Sequence, residues 1–271
     1  MRNKQSKLIT SLTILLGASL AVVSFYGGFV PWVYERETAS MAAQGKGQDI
    51  VDLFLVVPLL IVSLIFLLRK SRIAIFIFSG TILYILYSFF IYSFGVHFNN
   101  LFLLYCLTLG LSLYTFILIM SEFTKKDVEN WFGERVPLRS TGVYFIIVAV
   151  LFYMLWLKDV LPAIVNDSVP KSVSDYDLLV NPVHVLDMAV MLPALIIAAA
   201  LLMRRRRLGF ILAPVLLVFL IILATALVGM LIMLKANGIS EEASVAGIFV
   251  VLAVVSGSFL FLFLKKVKSV S

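Results

Sequence analysis

The sequence predicts an all-α polytopic membrane protein, a helix bundle with eight transmembrane helices and a parallel four-plus-four internal repeat. Three observations carry this. The chain of 271 residues is 62% hydrophobic and 14% charged, with a mean hydropathy of +1.09. A soluble domain of that length needs far more polar surface. The apolar residues fall in blocks of about 20, long enough to cross a hydrocarbon core of roughly 30 Å as helix, not in the short alternating segments of a barrel. Finally, residues 49–70 (DIVDLFLVVPLLIVSLIFLLRK) match residues 184–205 (HVLDMAVMLPALIIAAALLMRR) without a gap. Asp52 aligns with Asp187, Pro58 with Pro193, and Arg69-Lys70 with Arg204-Arg205.

The spans follow in order. Leu8–Val33 comes after basic Arg2, Lys4 and Lys7, and its Ser19 and Ala21 mimic a signal-peptide cleavage site. The apolar run continues past Ala21 to Val33, which suits a retained spanning helix. Ile50–Leu68 opens beside Asp49 and Asp52. Ile73–Gly95 and Leu101–Met120 are rich in aromatics, among them Tyr84, Tyr87, Tyr92 and Tyr105. These read as packing or lipid-facing bulk, with belt residues at the outer boundary; an aromatic-lined pocket is the other reading. Thr124 and Asp127 mark a helix start and Gly133 a stop. Val128, Trp131 and Phe132 between them share a face, which predicts a short amphipathic helix in the inner interface. Val143–Leu161 ends at Pro162, placed like Pro31 after the first span. The segment from Pro162 to Asn181 is the largest external element, either a lid or a plain connector. Asn181 is the natural cap of Pro182–Met203, with Pro182 as its first residue. Leu208–Leu234 and Ala243–Leu264 are mostly Leu, Val, Ile and Ala.

Charge orients the chain. With the amino terminus inside, the inner segments hold Arg2, Lys4, Lys7, Arg69, Lys70, Arg72, Lys125, Lys126, Arg135, Arg139, Arg204 to Arg207, Lys265, Lys266 and Lys268, which is 17 of the 22 basic residues. Both termini are therefore expected in the cytoplasm. The net charge of +7 is explained by basic residues at an anionic leaflet and calls for no nucleic-acid partner. Most acids, and both histidines, fall on the outer side. Cys106 is the only cysteine, so neither an internal disulfide nor a thiolate cluster can form.

The repeat divides the chain into a first four-helix half with its cytoplasmic connector (1–140) and a second half (141–271). Each half crosses an even number of times, so the expected pseudo-two-fold axis runs along the membrane normal. It also marks a candidate polar site at the extracytoplasmic mouth. Asp52 and Asp187 lie near the outer ends of their helices, and Pro58 and Pro193 follow six residues deeper, about 9 Å along a helix. Each proline removes a hydrogen bond and is expected to break the helix there, freeing the carbonyls of Phe54 and Ala189. Asp49 as helix cap with Asp52 in the first turn is the structural alternative. Asp187 lies too deep below Asn181 for that role, and a carboxylate at such depth needs a partner or water. His184 shares a helix face with Asp187. His97 and Lys158 are placed at similar depth and, with Asp49, complete the candidate cluster.

The chemistry is less defined. Two histidines and two aspartates form only a weak metal pattern. HExxH and GxSxG motifs are absent, and no cofactor is expected. The expected partners are the lipid bilayer and a small ion or solute. The segments at 47–49 (GQD), 92–105 (YSFGVHFNNLFLLY) and 181–193 (NPVHVLDMAVMLP) resemble segments of a set of bacterial multi-pass membrane proteins of no assigned activity. The resemblance implies a bacterial cytoplasmic-membrane location and gives no residue a role. Three functions fit: a small transporter or transport accessory, a membrane sensor or assembly partner, and a membrane-embedded enzyme. No ionisable residue lies at the clear midplane of a span, where coupling sites of secondary transporters usually sit.

Overall fold

A computed structural model describes residues 3–123, 126–133, 136–239 and 243–268. Arg2, Thr124, Lys125, Glu134, Arg135, Glu241 and Glu242 lie outside them, and with Thr124 goes the helix start read there. Among the described residues eight helices are long and apolar enough to span a membrane. They are α1 (Asn3–Phe29), α2 (Ala39–Leu68), α3 (Arg72–Gly95), α4 (Phe102–Phe123), α5 (Leu138–Val165), α6 (Pro182–Met203), α7 (Arg207–Ala236) and α8 (Ala243–Leu264). In hydrocarbon each backbone polar group must find its partner within the segment, so these apolar runs are helical throughout.

Polar side chains set the starts. Thr38 Oγ1 accepts the Met41 N–H at 3.3 Å, Ser71 Oγ the Ala74 N–H at 3.2 Å, and Asn181 Oδ1 the Val183 N–H at 2.9 Å. The cap read at Asn181 is therefore present. Asp49 caps nothing: α2 starts at Ala39, which leaves Asp49 and Asp52 well inside the helix. Thr38 begins it because the stretch ASMAAQ is a good helix former and the short hydroxyl is placed to hold the first turn. Pro162 does not end α5, which runs on to Val165.

α2 and α6 end alike. Lys70 and Arg205 adopt left-handed φ of 62° and 54°. The N–H groups of Ser71 and Arg206 then return to the carbonyls of Phe66 and Leu201 at 3.1 and 2.8 Å.

The core lies along α3 and α7, which pack on each other. The apolar window of α3 is 72% buried and that of α8 only 11%, which places α3 at the centre and α8 at the edge. α1 packs on α2 and α4, α2 on α3, and α3 on α4. Likewise α5 packs on α6, α6 on α7, and α7 on α8, while Tyr144 of α5 reaches Ser256 and Phe259 of α8. Across the middle α2 meets α7 and α6 meets α3. The contacts of each helix among the first four thus recur four helices later.

Gly80 permits the central contact, since a Cβ there would lie 2.7 Å from the Val215 carbonyl oxygen. Gly80→Leu is expected to destabilise the bundle by about 1–3 kcal/mol through overpacking. Thermal unfolding in detergent measures this against Gly110→Leu, whose added Cβ would meet nothing within 4 Å. Equal melting of the two variants would show that the α3–α7 contact has slack.

The basic residues gather at one end of the bundle, and that end is closed by aromatic rings. Phe132 packs against Phe76, Phe210 and Phe263 at centroid distances of 5.8, 5.6 and 5.8 Å. The predicted amphipathic interface helix is a single four-residue turn, Val128–Trp131, tucked under α7. Val128 and Phe132 are 0% and 6% exposed, because the helix ends bury them more completely than a lipid boundary would. The Lys268 N–H donates to the Trp131 carbonyl and the Gly133 N–H to that of Lys266, each at 2.8 Å, tying this connector to the carboxy-terminal segment.

Candidate functional site

The two matched segments share a backbone irregularity. Asp52–Val56 and Asp187–Met191 are each a π-helical turn, in which the N–H groups of Val57 and Leu192 reach back five residues to the carbonyls of Asp52 and Asp187. Pro58 and Pro193 follow directly. The break expected at these prolines is instead a local widening, and both helices stay continuous. A wider turn accommodates the ring and redistributes the carbonyl partners that proline cannot serve.

Asp49, Asp52 and Asp187 are 1%, 1% and 6% exposed. Neutral donors hold them. Tyr84 donates to Asp52 Oδ1 at 2.8 Å. Tyr87 donates to Asp187 Oδ1 and the Trp156 indole N–H to Oδ2, both at 2.9 Å. Tyr34 donates to Asp49 Oδ2, and Asp49 Oδ1 has no hydrogen-bond partner. Tyr34 lies between α1 and α2; burial first, then the neighbouring Asp49, pushes its phenol well above its ordinary value, so it remains a donor. Among the described residues no basic side chain pairs with any of the three carboxylates.

One helix supplies two of these donors. Tyr84 and Tyr87 are three apart and share a face of α3, which lies between α2 and α6. At the offset that aligns Asp52 with Asp187, the position matching Tyr84 is Phe219, which has no hydroxyl. Asp187 therefore draws on Tyr87 of α3 and Trp156 of α5, while Phe219 packs edge-on against Tyr87 at 5.3 Å. The matched segments are alike in backbone and different in chemistry.

Beside Asp187 lies a cavity of about 280 Å³. Its walls include Gln48, Tyr84, Tyr87, Tyr92 and Trp156, and its roof Ser172, Tyr176 and Leu178. Tyr84, Tyr87 and Tyr92, read as bulk, are thus cavity walls, and the first two are carboxylate donors, whereas Tyr105 lies outside the lining and Phe94 and Tyr114 are exposed on the outside of the bundle. The segment after α5 covers the cavity. It is held by Gln44 Nε2 to the Tyr176 hydroxyl at 3.2 Å and by Ser172 Oγ to Asp159 Oδ2 at 2.5 Å.

The predicted cluster is only partly assembled. Asp187 lines the cavity, and Asp52 sits behind Tyr84. His184 packs against Trp156 with tilted rings 4.6 Å apart, its Nε2 buried and without a hydrogen-bond partner. His97 stands apart from Asp187: its Nδ1 meets Glu37 Oε2 at 3.0 Å and its Nε2 lies 3.8 Å from Asp177 Oδ2. It joins connectors at the acidic end because the backbone turns outward after Gly95. Lys158 is exposed and outside the cavity lining, so it forms no part of this site. No three His, Cys, Asp or Glu among the described residues converge as a metal site.

The signal missed in the sequence was the stripe Gly80, Tyr84, Tyr87, Ser88, Tyr92 and Gly95. At spacings of three and four it is one polar-aromatic face in an apolar helix. No protein-family model, curated protein or solved structure matches the chain.

Tyr34→Phe removes a donor from a buried carboxylate that already has one oxygen unpartnered. It is expected to lower stability by about 1–3 kcal/mol, read as a drop in melting temperature. An unchanged melting temperature would mean that water replaces the phenol.

Proposed function

We propose that this protein is a small-solute transporter, or the solute-binding part of one, in a bacterial cytoplasmic membrane. Both termini are cytoplasmic in this reading, and the cavity lies toward the extracytoplasmic side, beneath the segment after α5. Residues 1–140 and 141–271 act as its two repeated halves. One observation carries the proposal: a cavity of about 280 Å³, walled by both halves, roofed at the acidic end and backed by the aromatic cluster at the basic end. That is the arrangement of an occluded site between two moving parts. The recurring helix contacts support the two-half reading. The π turns of α2 and α6 supply paired points where the helices can flex.

Two experiments test it. A diverse solute library is screened for ligands that raise the melting temperature of the purified protein, and each hit is then assayed for counterflow in proteoliposomes. Exchange across the bilayer is expected; a hit that binds without exchange would favour a solute sensor built on the same cavity. Orientation is tested by labelling single cysteines with an impermeant maleimide after Cys106→Ser. Val169→Cys is expected to label in intact cells and Arg205→Cys only after permeabilisation. The reverse pattern would invert the topology.

A further inference from the structure

We propose that the cavity binds an organic ammonium cation, an inference that rests on the cavity being the ligand site. Four observations lead there. First, Asp187 presents a carboxylate in the wall, and its protein partners are the neutral donors Tyr87 and Trp156. A buried carboxylate without a counter-charge is costly, and a cationic ligand offsets that cost. Second, none of the lining residues among those described is Lys, Arg or His. The wall therefore offers no cationic group to hold an anion. Third, the lining is aromatic, with Tyr87, Tyr92, Trp156, Tyr176 and Phe249 around the space. Aromatic walls beside an acid suit ammonium groups, since ring faces attract cations within about 6 Å. Fourth, the volume of about 280 Å³ is roughly twenty times what one water needs. No set of three metal-ligating side chains converges among the described residues, so the room and chemistry fit an organic cation better than a bare ion.

Asp52 and Asp49 extend the argument. They stand behind Tyr84 and Tyr34, both of which line the cavity. Their phenols donate to the carboxylates, which turns the positive end of each O–H dipole onto an acid and leaves the phenol ring more electron-rich. The walls are thereby more attractive to positive charge than tyrosine rings alone.

The test uses the full chain in detergent with tetramethylammonium, choline and benzyltrimethylammonium chlorides, against sodium chloride at equal ionic strength. At least one ammonium salt is expected to raise the melting temperature saturably. The neutral isostere of choline, 3,3-dimethylbutan-1-ol, is expected to have no such effect. Asp187→Asn and Trp156→Leu are each expected to weaken the interaction tenfold or more. The isostere comparison needs only wild-type protein, so it decides the question even if a variant misfolds. Stabilisation by the isostere equal to that by choline, or by none of the three ammonium salts, would overturn the proposal. Ammonium binding without counterflow would sink the transport reading and leave this one standing. Counterflow of neutral or anionic solutes alone would do the opposite.

Discussion

Replacing Asp187 by asparagine is expected to leave the fold intact and to abolish ligand-dependent stabilisation. The partners of the side chain explain both halves of this result. Asp187 accepts from a hydroxyl and from an indole N–H, each at 2.9 Å. The indole can only donate, whereas a phenol can donate or accept. An asparagine therefore turns its oxygen to Trp156 and its amide N–H₂ to Tyr87, which rotates its hydroxyl to accept. Both bonds survive, and the change in stability is expected to stay below about 1 kcal/mol. What disappears is the negative charge in the cavity wall. A tenfold or greater loss of ligand affinity, about 1.4 kcal/mol or more, is the expected readout by calorimetric titration. Asp187→Leu is the contrasting variant: it orphans the Trp156 N–H and is expected to cost about 1–3 kcal/mol of stability as well. Wild-type affinity in Asp187→Asn would reduce the carboxylate to a structural hydrogen-bond acceptor.

The largest effect on stability is expected from Phe132→Ala. This ring is 6% exposed and packs against three others, contributed by α3, α7 and α8. Truncating a buried phenylalanine costs about 3–5 kcal/mol, partly for the cavity left behind. Phe132 also sits on the connector between α4 and α5, so its loss loosens the attachment of that connector to the helix ends. Trp131 is the natural control. It is only half-buried, and Arg72 and Lys126 lie over its ring at 5.5 and 5.6 Å. Trp131→Leu is expected to cost distinctly less. Denaturant titration of the two variants in detergent measures the difference, and a cost below about 1 kcal/mol for Phe132→Ala would show that the connector is dispensable for closure.

The sequence by itself determined what depends on local composition. Blocks of Leu, Ile, Val and Phe must become helices in lipid, so every span boundary but the start of the second was legible to within a few residues, and Asn181 before Pro182 announced a helix start. Asp187 stood out because it lay below a recognisable cap, and the aligned Asp and Pro pairs pointed to a shared peculiarity of α2 and α6. The second span was misjudged at its start for an equally local reason. GKGQD breaks the hydropathy signal, yet Gly47 suits the helix because α7 approaches there, with a Cβ only 2.5 Å from the Gly229 carbonyl oxygen. That fact moves Asp49 from cap to core.

Only the tertiary structure decided which polar groups meet. Asp52 finds its donor 32 residues away and Asp187 finds one 100 residues back, on a single face of α3. Nothing near either aspartate announces those partners, because a buried carboxylate is satisfied by whatever donor packing brings within hydrogen-bond reach. The same physics separated residues that looked alike in depth. His97 turned outward to Glu37 and Asp177, while His184 turned inward onto Trp156. Hydropathy is a property of each segment and can be read along the chain. Partnership between buried polar groups is a property of the helix contacts, and it exists only once α3 is wedged between α2 and α6.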